Sequence, residues 1–136
     1  MKQPKLFPDL QAALACEDVR LEVNGFNSLV GVIHVIAVPT VPFRILKLCI
    51  FTRWVNGIGA FSQTARILTP EEETELAKSE THFELSSTDV QATNVAFFGG
   101  LEFTQFGDYP IEIIIDGDLR MRFPLKVVQL QALPQG

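Results

Sequence analysis

Residues 103–128, FTQFGDYPIEIIIDGDLRMRFPLKVV, constrain the fold of this chain more than any other stretch. Tyr109, Ile111, Ile113 and Ile115 recur at every second residue, as do Leu119, Met121, Phe123, Leu125 and Val127. Successive side chains of a strand point to opposite faces, so this period predicts two half-buried strands, each apolar on one side. Asp116-Gly117 separates them, and glycine adopts the positive φ that tight hairpin turns need. A β-hairpin is therefore expected, with its apolar faces against a core.

Gly107-Asp108-Tyr109 at the entrance to the hairpin resembles the tyrosine corner of immunoglobulin-like sandwiches. There, a Tyr opening a late strand packs its ring inward and hydrogen-bonds upstream backbone. Gly107 is then expected to be small for a backbone reason, either positive φ or close approach.

The rest of the chain reads as strands too. Residues 1–9 look like an irregular lead-in. Leu10, Ala13, Leu14 and Glu17 allow a helical turn, whereas Val19, Leu21 and Val23 alternate with polar residues. Asn24-Gly25, a strong hairpin signal, decides for a strand. Residues 28–38 are nearly continuous Val and Ile and predict a central strand covered on both faces, ended by Pro39 and Pro42. Residues 43–55 predict another, with Leu46, Leu48, Ile50 and Trp54 on one face and Lys47, Cys49, Phe51 and Arg53 on the other. Trp54 resembles the buried Trp of a central sandwich strand. Further strands are expected over 60–68, 82–85 and 90–98, with Gly99-Gly100 kinking or ending the last before 101–103. Thr69-Pro70-Glu71-Glu72 has capping-box spacing, so 70–77 is either a short helix or an acidic turn. Strands about every ten residues, punctuated by Gly, Pro and Asn, predict a single all-β domain over 1–136. The expected architecture is a two-sheet antiparallel β-sandwich, immunoglobulin-like or C2-like, with about 7–9 strands.

Composition narrows the class. At 47% hydrophobic and 20% charged over 136 residues, the chain can bury one continuous core. No apolar run reaches the roughly 18 residues of a membrane helix. The net charge of −5, with no basic cluster, argues against nucleic acid as a partner. Ala13-Leu14-Ala15-Cys16 loosely resembles a lipoprotein signal, but Pro4, Pro8 and Asp9 interrupt the apolar run that such a signal requires. A cytoplasmic setting is expected, with Cys16 and Cys49 as buried free thiols.

Ala13-Leu14-Ala15-Cys16-Glu17-Asp18-Val19-Arg20, then Asn24-Gly25 with Ser28-Leu29-Val30-Gly31-Val32, then Gly107-Asp108-Tyr109 leading to Asp116-Gly117 form a combination spanning most of the chain. It resembles a family of short, uncharacterised bacterial β-sandwich proteins classed as a domain of unknown function. The resemblance implies a fold and a bacterial cytoplasmic setting, and brings no catalytic residue with it.

Signals of chemistry are sparse. His34 sits within Val32-Ile33-His34-Val35-Ile36, where a core or second-face role is expected; His82 lies in a polar stretch and is expected to be solvated. No Gly-x-Ser-x-Gly elbow or phosphate-binding glycine loop occurs. Asp116-Gly117-Asp118 faintly echoes a calcium loop but lacks a downstream bidentate Glu; a hairpin turn explains it more simply. No catalytic, cofactor or metal-ligand residue is assigned. The expected function is a non-catalytic interaction domain binding a protein partner, or a second copy as a homodimer, through a sheet face or edge. Tyr109, Trp54, Phe51 and Gly107 are its structural and interaction candidates. A calcium-dependent binder or enzyme built on Asp116 and Asp118, or a structural subunit of a phage or secretion assembly, is the alternative.

Overall fold

Local period and turn chemistry produce the hairpin first expected, and the rest of the domain packs around it. The computed structural model describes residues 5–71 and 74–131. Among these, nine strands follow in order: β1 (Asp9–Leu21), β2 (Asn27–Val32), β3 (Val35–Val38), β4 (Phe43–Val55), β5 (Gly59–Leu68), β6 (Glu75–Leu85), β7 (Ala92–Phe103), β8 (Gly107–Ile115) and β9 (Asp118–Gln129). They form a four-stranded sheet ordered β2-β1-β4-β7 and a five-stranded sheet ordered β3-β9-β8-β5-β6. The four-stranded sheet curls into a half-barrel, and β6 lies against β7 where the two sheets approach.

The hairpin β8–β9 turns at Asp116 and Gly117, both with positive φ, as a two-residue loop between right-twisted strands requires. Tyr109, Ile111, Ile113 and Ile115 are buried with Leu125 and Val127 and, from the other sheet, Leu48, Ile50, Trp54, Ala96, Phe98 and Phe103 in one core. The far half of β9 departs from the pattern: Leu119 is 53% exposed and Met121 is also exposed. A register shift between Ile113 and Ile114 rolls that end of the ribbon away from the core.

Several expectations are corrected. Residues 28–38 are two edge strands in different sheets, since the chain breaks at Ile33-His34 and crosses from one layer to the other. A Val/Ile run reads alike in a covered strand and along an edge that changes layers. His34, expected in the core or on a sheet face, is exposed at that break. β3 then runs parallel to β9, so the two sheets are not wholly antiparallel. The lead-in is partly ordered: Leu6 bridges Ile58 by paired backbone bonds of 2.8 and 2.9 Å, and β1 begins at Asp9. No helix spans 70–77, because β6 begins at Glu75 and Thr69 N–H donates to the Thr74 carbonyl across the turn; residues 72 and 73 lie outside the described residues. Cross-strand pairing of β6 with nearly all of β5 outweighs a local capping signal. β6 likewise starts well before the expected 82–85.

β4 runs over 43–55 as expected, but its faces change partway. In β7 the even residues Asn94, Ala96 and Phe98 point inward, and beyond Gly99-Gly100 the odd residues Leu101 and Phe103 do. Gly100 has φ +65, a conformation that displaces the in-out alternation by one residue. β4 pairs across that point, and Leu46, expected on the Leu48 face, is 87% exposed.

Candidate functional site

On the outer face of the four-stranded sheet, β1 presents Leu14, Cys16 and Asp18, β4 presents Lys47, Cys49, Phe51 and Arg53, and β7 presents Val95 and Phe97. Register aligns them into two apolar rows, Leu14–Phe51–Val95 and Val32–Cys16–Cys49–Phe97. Side chains directly opposite on antiparallel strands touch. Phe51 is thereby 6% exposed on an outer face, while Phe97 is 60% exposed and Leu14, Val32 and Val95 are also open to solvent. Cations frame the patch: the Arg53 guanidinium lies 5.6 Å from the Phe51 ring centroid, and Lys47 Nζ lies 5.7 Å from that of Phe97.

Lys47 Nζ also contacts Asp18 Oδ1 at 2.5 Å. That pairing holds the Asp18 carboxyl below its usual range and the Lys47 ammonium above its own. Burial, reinforced by the neighbouring Cys49, pushes the Cys16 thiol up to about 11, and burial raises Cys49 as well. Both cysteines are free and stay protonated at neutral pH, so neither is a ready nucleophile.

The other sequence candidates lie in the interior. The Tyr109 ring is buried edge-on to Phe103, with centroids 4.9 Å apart. Its hydroxyl donates to the Gln105 carbonyl at 2.8 Å. Gly107 has φ +143, and a Cβ there would meet Pro70 Cγ at 3.1 Å, so both backbone reasons for a glycine operate. Tyr109→Phe should cost about 1–3 kcal/mol, because the partly buried loop carbonyl loses its donor. Urea unfolding at unchanged slope reads this; a midpoint equal to the parent's would remove any stabilising role of the corner bond.

Trp54 is fully buried and donates Nε1–H to Gln63 Oε1 at 2.7 Å. The same oxygen lies 2.7 Å from Thr52 Oγ1 and 3.3 Å from Asn94 Nδ2. Indole offers only a donor, which fixes the Gln63 amide and leaves its Nε2 buried without a partner. Nothing in the sequence marked Gln63, since a lone polar residue at an inward position of a strand gives no periodic signal.

The carboxylates near the hairpin turn are engaged locally. Asp116 Oδ1 accepts from Ser62 N–H at 2.8 Å, and Oδ2 pairs with Lys5 Nζ at 2.8 Å. Asp118 is exposed. Among the described residues no three His, Cys, Asp or Glu side chains gather as metal ligands would. The Lys5 and Ser62 bonds hold the Asp116 carboxyl below its ordinary value of 3.8. A depressed folded value stabilises the fold above the unfolded pKa, and that contribution is lost as pH falls through the folded one. The parent should therefore lose its stability advantage over Asp116→Asn below about pH 4. Urea midpoints that keep a constant difference from neutral pH to pH 2 would contradict this.

Glu112, only 4% exposed, bridges Arg66 on β5 at 2.6 Å and Arg122 on β9 at 3.2 Å. This triad places paired charge on the outer face of the five-stranded sheet, across β5, β8 and β9. The apolar outer face therefore belongs to the other sheet. Sequence reading found Cys49 and Phe51 there; it missed Leu14, Val95 and Phe97 because their strands were not yet placed beside β4.

A two-sheet all-β domain with one apolar outer face is the class these features define. The chain belongs to the Family of unknown function (DUF6941), whose model matches residues 11–128. No curated protein matches it. Among the described residues, no helix is long and apolar enough to cross a membrane.

Proposed function

We propose that the domain is a non-catalytic interaction module that binds protein through the outer face of its four-stranded sheet, with self-association as a homodimer among its modes. The observation that carries the reading is the pair of apolar rows centred on Phe51 and ending at Phe97. A contiguous apolar patch rimmed by charge, here Lys47, Asp18 and Arg53, is the usual mark of a protein contact. Aromatic and arginine side chains are also the common anchors of such contacts. The Tyr109 corner and the two-layer arrangement support an immunoglobulin-like kinship. The protonated, unbridged Cys16 and Cys49 suit a cytoplasmic setting.

Light scattering at micromolar concentration tests the self-associating form. A mass above one chain is expected, falling to the monomer in Phe97→Asp while the melting temperature holds. Phe97 is solvated enough that the substitution should change stability by no more than about 0.5 kcal/mol. A parent that stays monomeric, with Phe97→Asp leaving the binding of hydrophobic dye unchanged, would remove the patch as an interaction surface.

A further inference from the structure

At one corner of the fold two strand edges face each other with no strand between them. β1 pairs with β4 only as far as Cys16 opposite Cys49, so residues 43–48 of β4 have β7 on one side and no strand on the other. Facing them is β3, paired with β9 on one side only. The two ladder bonds framing β3 run from Lys126 N–H to the His34 carbonyl and from Leu130 N–H to the Val38 carbonyl. In a parallel ladder alternate residues serve one neighbour, so Val35 and Ala37 direct their N–H and C=O groups to the open side. Between the edges lies a groove of about 550 Å³, lined by Ile33, Val35, Ala37, Phe43, Ile45 and the largely exposed Leu46. Its walls are apolar and its open edge carries backbone donors and acceptors, a combination that only another extended main chain satisfies fully.

Charge at the rim narrows the occupant. Three ionised side chains border the groove: Glu17, Arg44 and Lys47. Arg44 is paired with Glu102 at 2.9 Å and Lys47 with Asp18 at 2.5 Å. Glu17 is exposed and has no ion partner among the described residues. The unbalanced charge at the groove is thus negative, on a chain whose net charge is −5. A cationic segment is drawn in both by the local carboxylate and by the whole molecule's field.

We propose that this slot takes an extended segment of another protein as an added strand between β3 and β4, with apolar side chains at alternate positions and a Lys or Arg reaching Glu17. Neighbouring strands lie about 4.8 Å apart in the hydrogen-bonding direction, which is the spacing an added strand would take from β3. Alternate apolar side chains would meet Phe43 and Ile45, which share a face of β4, and the basic residue sets the direction in which the segment enters. This surface shares Lys47 with the Phe97 patch but does not depend on it.

The test uses a fluorescein-labelled synthetic peptide, Lys-Val-Thr-Val-Thr-Val-Thr, read by polarisation and by amide hydrogen exchange of the full chain. Saturable binding is expected, with slowed exchange at the Val35 and Ala37 amides. Changing the peptide Lys to Glu should weaken binding about tenfold, and Glu17→Lys in the protein should invert that preference. A peptide N-methylated at alternate residues should not bind, because its main chain cannot pair. Ala37→Pro removes one outward donor without touching the ladder to β9 and should abolish binding; Glu17→Lys keeps the test decisive if that variant fails to fold. No binding at millimolar peptide, equal binding of the N-methylated peptide, or protection that spares Val35 and Ala37 would overturn the proposal. So would a dimer of the parent lost only in Ala37→Pro, which would assign the edge to a second copy. Phe97→Asp should leave peptide binding intact, so failure of the patch and failure of the slot are read separately.

Discussion

Trp54→Ala is expected to lower the unfolding free energy by about 3–5 kcal/mol, the range for deleting a fully buried large aromatic. The indole has no solvent exposure, stacks on Phe83 with centroids 5.9 Å apart, and reaches Gln63 on the other sheet. Truncation opens a cavity between the sheets and removes one of the donors around Gln63 Oε1. Trp54→Phe separates the two effects, keeping most of the ring and losing the donor, and should cost nearer 1–2 kcal/mol. Gln63→Leu strands the indole N–H in the core but also removes the unpartnered Nε2, and Thr52 Oγ1–H can turn to the Asn94 carbonyl at 3.3 Å. The Trp54→Phe/Gln63→Leu double variant deletes donor and acceptor together and should be more stable than the sum of the single losses predicts. Strict additivity in urea midpoints would show that the inter-sheet bond contributes nothing.

Ile113→Ala should cost about 2–5 kcal/mol by opening a cavity at the middle of β8. Ile113 is fully buried, with Ala65 of β5 on one side and Met121 of β9 on the other. The surrounding strands are held by ladder bonds on both sides, so the site cannot collapse to fill the void. Leu119→Ala is the matching control. By sequence period Leu119 belongs to the same hairpin's apolar face, yet it is half exposed, and its truncation should change stability by no more than about 0.5 kcal/mol. Equal losses at the two positions, measured with unchanged denaturant slope, would show that the β9 end is buried in solution.

The contrast between Ile113 and Leu119 marks how far local pattern carries. Both satisfy the same alternation, and only the shift after Ile113 distinguishes them. A register shift of this kind arises from how the ribbon twists over the opposite sheet. The interaction face behaves alike. Cys49 and Phe51 were visible as apolar residues beside Lys47 and Arg53, but a row needs three strands in register. The sequence order of β1, β4 and β7 does not reveal that they are neighbours.

By itself the sequence determined what depends on nearest neighbours along the chain. The β8–β9 hairpin followed from a period of two and a turn needing positive φ, and the Tyr109 corner from a glycine placed beside a ring that must pack inward. The limits of β4 followed from an apolar alternation over 43–55 that begins directly after Pro42. Tertiary structure alone decided that residues 28–38 split between two layers, that β3 joins β9 in parallel, and that 75–77 extend a strand. It also decided that Gln63 gathers three donors and that a groove lies between the free edges of β3 and β4. Each of these rests on groups far apart in sequence meeting across a sheet or between sheets. The free energy that selects them comes from area and hydrogen bonds shared by segments no local window contains.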